Sequence, residues 1–443
     1  MTKRELVLFP SVLVMALTSS FSQADSAEDY WPSWRGPNSD GVAVKGDPPI
    51  TWSETENVKW KVALPDSSDC TPVIWGDRIF IQVAVPMEEG AEADRPTPPE
   101  IEREILMPKP KMPYKFNIMC LDRGTGETLW EETVRTEYPH EGFHPSGGLA
   151  NYSPVTDGEH VWFSFGSRGV HCFTVDGQHV WSSDLMVMYT LRGFGEGSSP
   201  AVVDNAVIVV ADHEGESKIF AFDKSNGDLL WEKERDEESG WATPTPVEVN
   251  GETQIIVSGT NMIRSYDVET GDLVWECSGL TKGSIPSPVV SDGKVFLATG
   301  YQKPKMMAIA LGGKGDISTS DAITWTADEG MPYIATPLLY NDRIYTFDNL
   351  KANLSCYEAS TGRAVFVKEK LTGMKQIYAS PVGAAGRIYT VDRKGTFLVL
   401  KQSDSVEILA TNKLDDDFDA SPVIVGDELY LKGAKFLYCI AKG

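Results

Sequence analysis

The string Pro139-His140-Glu141-Gly142-Phe143-His144-Pro145 sets two imidazoles four residues apart around a carboxylate. This is the H-E-x-x-H spacing with which a helix presents two zinc ligands and a general base on one face. Prolines bracket the string and a glycine sits inside it, so the helix is not expected and the zinc-protease reading falls away. Imidazoles in an irregular loop can still converge on an ion. Asp212-His213-Glu214 adds a third of the chain's six histidines, and Arg168, Arg192 and Arg235 fall in comparable segments. The candidates for a ligand-binding face are therefore His140, Glu141, His144, Arg168, Arg192, Asp212, His213, Glu214 and Arg235, with His140, His144 and His213 as the metal candidates. The competing reading is a polar rim whose hydrogen bonds are satisfied internally. No catalytic residue is assigned: no Ser or Cys has the surroundings of an activated nucleophile, and no Gly-rich loop has the form of a phosphate cradle.

The elements that must position these residues repeat along the chain. A Ser/Thr-Pro step followed by apolar residues and a turn recurs with its proline at 72, 154, 200, 244, 288, 337, 381 and 422. The spacing is roughly 44 residues except between the first two, where a Pro- and Glu-rich insert at 84–115 intervenes. Its composition predicts a mobile or extended decoration. Each unit has a second half, as in CLDRGTGETLW (120–130) or SYDVETGDLVW (265–275), that reads as two strands around a tight turn. Four antiparallel strands per unit predict an all-β, eight-bladed propeller. The aromatics closing the units, Trp60, Trp130, Trp181, Trp231, Trp275, Trp325 and Phe366, are expected to dock between blades, and the pattern fades near Ile408. NVKWKVAL (57–64) ends a unit that has no beginning, and 420–441 begins one that has no end. The N-terminal strand is expected to complete the last blade and remove the open sheet edges.

The sequence also bounds partners and compartment. Lys3 and Arg4, the apolar stretch Leu6 to Leu17, and Ser22-Gln23-Ala24 read as a cleavable signal peptide (1–24), with 25–443 the propeller in the periplasm or outside the cell. No Cys follows the apolar stretch, so no lipobox is present, and no other run is long enough to span a bilayer. A formal charge of −24 argues against nucleic acid and anionic lipid as partners. Cys120, Cys172, Cys356 and Cys439 share one place in four units, where others have Ala221 or Ser265, and so read as small buried residues rather than disulfide partners. A monomer is expected.

The Asp-x-x-Thr-Gly ending and Ser-Pro-Val start resemble the PQQ-like repeat of eight-bladed, quinoprotein-type propellers over about 30–443. That superfamily includes PQQ-dependent alcohol dehydrogenases and the outer-membrane assembly lipoprotein BamB. The opening WPSWRGPNSDGVA (31–43) is similar to the start of secreted propellers from planctomycete-type bacteria. The resemblance implies the fold and two functions: a non-catalytic scaffold that binds a protein, peptide or polysaccharide through its loop face, or an oxidoreductase dependent on PQQ and Ca²⁺ or another metal. The dehydrogenases carry a disulfide between adjacent cysteines and hold Ca²⁺ with Glu, Asn and Asp. This chain has no Cys-Cys pair and no motif that assigns those ligands. The reading adopted is a binding protein whose partner is another envelope protein or an extracellular polymer, with no cofactor assigned.

Overall fold

The computed structural model describes residues 26–66, 68–97 and 101–443. The signal peptide read at 1–24 lies outside them. Period-two alternation, broken by turns with Gly, Asn or Asp at positive φ, folds the repeats into eight four-stranded antiparallel blades in a ring. Blade 3 shows the pattern: strands Ala201–Val203, Ala206–Ala211, Ser217–Asp223 and Leu229–Arg235 run from the axis outward. Ala206–Ala211 is buried at every position, because neighbouring blades cover both its faces. Leu229–Arg235 is buried only at Trp231 and Arg235.

Blade 8 joins the two ends of the fold. Val423–Val425, Glu428–Lys432 and Phe436–Ile440 supply three strands, and Val58–Ala63 supplies the fourth, with Trp60 opposite Cys439 and Lys61 opposite Tyr438. No helix among the described residues is long and apolar enough to cross a membrane.

The Ser/Thr-Pro repeat has a structural cause. The backbone N–H of Thr71 donates to the hydroxyl of Ser153, that of Ser153 to Ser199, and so on through Thr243, Ser287, Thr336, Ser380 and Ser421. The N–H of Ser421 returns to Thr71 Oγ1. Eight bonds of 2.8–3.2 Å thus close around the axis. The following proline holds each Ser or Thr extended, which keeps the donor pointed at the next blade. Ser199→Ala should cost about 1–3 kcal/mol, because it strands the buried Ser153 N–H. Ser199→Thr, the residue three other blades use here, should stay near wild type. Equal urea midpoints for the alanine variant and wild type would show that the ring does not contribute.

The aromatic series works as expected and has a specific seat. Each docking indole lies opposite the small residue of its own blade: Cys120 faces Trp130, Cys172 Trp181, Ala221 Trp231 and Cys439 Trp60. It then stacks on a turn glycine of the next blade and donates to a carbonyl there, as Trp60 does to Arg123, Trp130 to Val175, Trp181 to Lys224, Trp231 to Val268 and Trp325 to Ala359. A Cβ on Gly227 would lie 2.6 Å from the Trp181 ring, at a φ of +77°, which fixes glycine in the Asp-x-x-Asn/Thr-Gly turn. Trp275 is the exception: its indole N–H has no partner. The facing turn of blade 5 is replaced by a longer segment in which Gly315–Asp316 adds a fifth, parallel strand beside Trp275. All six cysteines are buried and unpaired. Burial pushes Cys120, Cys172, Cys356 and Cys439 up to about 12, so they stay protonated thiols.

Two segments differ from a bare ring of repeats. Residues 31–43 cross the axis. Trp31 exchanges two backbone bonds with Ile74 of blade 1, Pro32 accepts from Thr156 of blade 2, Arg35 donates to Pro381, and Ala43 donates to Gly383 of blade 7. This segment stoppers the channel. The insert is not the loose decoration its composition predicts. Between Arg78–Pro86 and Tyr114–Asp122 it turns back over the loop face, where Arg103 is buried against Tyr189, donates to Thr190 O and pairs with Glu141 at 3.0 Å. Arg95 stacks 3.4 Å over Tyr138, and Leu106 and Met107 donate to Arg192 O. Cationic side chains with aromatic and carboxylate seats thus fix a segment that lacks a hydrophobic pattern.

Candidate functional site

On the face built by the longer loops the ring opens into a funnel of about 570 Å³, within the range of small-molecule sites. The ring hydroxyls Thr71, Ser153, Ser199, Thr243, Ser380 and Ser421 and the side chain of Trp34, from the stopper, also line it. Because the blades repeat in register, each contributes to the wall the residue two places before its ring hydroxyl. Blades 8, 1 and 2 supply Asp419, Asp69 and Asn151, and blade 3 supplies Gly197. Blades 4 to 7 supply Trp241, Ile285, Ile334 and Tyr378. One side of the funnel is therefore polar and acidic, and the other is apolar and aromatic, extended by the stacked pair Tyr301–Tyr333 at 5.3 Å. Sequence reasoning missed this tier, although its signal was present: a fixed offset from a motif already found.

The residues singled out from sequence occupy this same face, but they separate into three roles. His144, Arg192 and Glu214 line the funnel. His144 packs on Phe194 and bonds Ser146, Arg192 pairs with Glu104 of the insert at 3.0 Å, and Glu214 accepts from Ser239. Arg235 and Asp212 lie beneath the face as a fully buried bidentate pair, at 2.7 and 2.9 Å, and Arg235 also donates to the Tyr266 hydroxyl. They are structural, because neither reaches the surface. His213 is buried with Nδ1 accepting from the N–H groups of Tyr189 and Gly215 and Nε2 donating to Glu216 O.

His140, Glu141 and Arg168 form a third, buried group with Glu196 and Glu137. Arg168 donates to Glu137 at 2.8 Å and to Glu196 at 3.4 Å, while Ser167 and Tyr152 also donate to Glu196. His140 Nε2 lies 2.7 Å from Met188 O, which can only accept, so Nε2 carries the hydrogen and Nδ1 faces Arg168. Burial and the neighbouring guanidinium hold the His140 ring neutral, down to about 4, and burial raises Glu141 to about 7. Among the described residues, His140, Glu141 and Glu196 are the group whose ligand atoms fall within 4.8 Å of one another. His144 and His213 are not part of it, so the three histidines read from sequence do not converge. The protonated Nε2, and Arg168 and Ser167 on Glu196, commit these donors to one another as a network that anchors the loops.

The donor set does not suit a quinone cofactor either. Five carboxylates line the funnel against two cations, Arg192 and Lys282, and both cations are already paired, with Glu104 and Glu238. A quinone bearing three carboxylates would find neither of these cations free to pair with it.

A closed ring of eight four-stranded blades, with indoles docked on the turn glycines and a funnel on one face, defines a PQQ-like propeller. The chain belongs to the family described as outer membrane protein assembly factor BamB, whose model matches residues 115–368. Similar solved structures include BamB from Moraxella catarrhalis, 13% identical over 81% of this chain and 99% of that one, with a TM-score of 0.54. A europium-containing methanol dehydrogenase is 10% identical over 94% and 98%, TM-score 0.60. The quinohemoprotein alcohol dehydrogenase of Comamonas testosteroni is 9% identical over 94% and 81%, TM-score 0.63. At these identities the likeness is one of fold. A search of curated proteins by sequence finds no match.

Proposed function

We propose that this protein is an exported, non-catalytic propeller that holds a segment of another envelope protein on its loop face. The observation that carries the reading is an apolar rim beside the funnel. Ile105 is 60% exposed, Leu106 49% and Leu191 39%, and backbone bonds through Arg192 hold the three together. Large side chains left in water on a rigid, buttressed surface mark an interaction site. The fold of BamB, a protein its family description ties to outer-membrane assembly, agrees with this role. The two cations lining the funnel are already paired with Glu104 and Glu238, so the oxidoreductase alternative gains no support from the donor set.

The test is crosslinking in the native host followed by mass spectrometry, with wild type and an Ile105→Asp/Leu106→Asp variant. Both positions are exposed, so the variant should melt like wild type. Crosslinks from the loop face to a polypeptide partner should fall at least tenfold. Undiminished crosslinking in the variant would refute the role of this rim.

A further inference from the structure

The funnel has one carboxylate to spare. Glu196 is held by Ser167, Arg168 and Tyr152, Asp419 by Arg393 at 2.7 and 2.9 Å, Glu238 by Lys282, and Glu214 by Ser239. Asp69 lines the same cavity and accepts no hydrogen bond from any described residue. By blade order it stands across the axis from Ile285 of blade 5, and its neighbour Asp419 stands across from Trp241 of blade 4.

We propose that the funnel takes an organic cation, an ammonium or guanidinium group lodged at Asp69, carried on an apolar or aromatic body that packs against Trp241, Ile285, Ile334 and Tyr378. The inference rests on reading the loop face as a binding face and names the chemistry that face selects. A cation supplies the hydrogen-bond donor Asp69 lacks, since Arg393 donates to Asp419 and Lys432 to Ser68 O, and indole and phenol faces attract the same charge. The chain's charge of −24 favours approach of a cation over an anion.

The groups facing Asp69 are Asp419, Arg393 and Lys432. Burial, reinforced by Asp419 and opposed by the two cations, raises the Asp69 carboxyl to about 7. Only the ionised form attracts an ammonium, so affinity should climb as pH rises through about 7 and fade below it.

The experiment uses the intact protein and three aromatic probes that differ in charge: phenethylammonium, 2-phenylethanol and phenylacetate. Binding is followed by calorimetry and ligand-observed NMR at pH 6 and 8. The cation should bind at least tenfold more tightly than the alcohol at pH 8, and the anion most weakly. Asp69→Asn should remove that preference and its pH dependence while leaving the alcohol's affinity unchanged. Trp241→Ala should weaken all three. An end-blocked peptide with Lys beside Phe then separates the two sources of such a cation. Tighter binding of the peptide than of phenethylammonium supports a partner's side chain, and the reverse supports a free amine. Equal binding of all three probes overturns the charge selection while leaving the binding face intact. Binding of none overturns the funnel site and leaves the apolar rim to its own crosslinking test. A preference that survives Asp69→Asn overturns the role of Asp69.

Discussion

Trp231→Ala should lower the unfolding free energy by about 3–5 kcal/mol, among the largest losses available from one side chain of this fold. The ring is buried with Ala221, Ile255, Val257, Tyr266 and Val268, so it bridges the cores of blades 3 and 4. A Cβ on Gly271 would lie 2.6 Å from it, which shows how closely the indole seats on the next turn. Its Nε1 donates to Val268 O at 2.9 Å, so truncation opens a cavity and orphans a buried carbonyl together. Trp275 is the internal control, because its indole N–H already lacks a partner. Trp231→Phe should cost about 1 kcal/mol more than Trp275→Phe, the difference being the hydrogen bond. Denaturant midpoints of the three variants and wild type, at constant slope, decide the matter. Two phenylalanine variants of equal stability would mean the indole bond adds nothing to the seat.

Asp212→Ala should cost a similar amount, about 3–5 kcal/mol, for an electrostatic reason. The side chains of Arg235 and Asp212 are 0% and 1% exposed, and the carboxylate takes two of the guanidinium's hydrogen bonds. Removing it leaves a charge that the Tyr266 hydroxyl and the more distant Glu237 only partly satisfy. Replacing both partners with apolar groups, as Asp212→Leu/Arg235→Met, should recover most of the loss, because no uncompensated charge then remains. If the double variant is as unstable as Asp212→Ala, shape rather than charge dominates here. Because neither residue reaches the funnel, neither substitution should alter probe binding in protein that remains folded.

The ring of blades was legible in the sequence because each of its devices leaves a periodic trace. Apolar alternation gives strands, Asp-x-x-Thr-Gly gives the turn that an indole caps, and the unpaired half-unit around Trp60 gives the closure. The loop face was legible too, since residues between the second and third strands and between blades must share one side. What each polar residue does there was not. Arg235 and Glu214 look alike in the sequence, yet one is sealed against Asp212 and the other lines the funnel, a difference set by contacts between blades that no local pattern records. The stopper at 31–43 has no periodicity, because it touches three different blades at isolated points. The insert misled through composition: Arg103 and Arg95 bind by stacking and ion pairing, which a count of Pro and Glu does not reveal. The place of Asp69 is visible only when the eight motifs are superimposed, because nothing in its immediate neighbours marks it.

The shared sheet of blade 8 also sets the order in which this molecule can form. Val58–Ala63 is the first strand of the propeller to be made, but its hydrogen-bonding partner Phe436–Ile440 is the last. Until then the early strand has no sheet to join, and the circle of hydroxyls lacks Ser421, its eighth member. Pairing across the whole propeller carries a large loop-closure entropy, which delays closure relative to the blades between. The ring therefore stays open until Phe436–Ile440 has been made, so the edge of Val58–Ala63 is among the last to be covered.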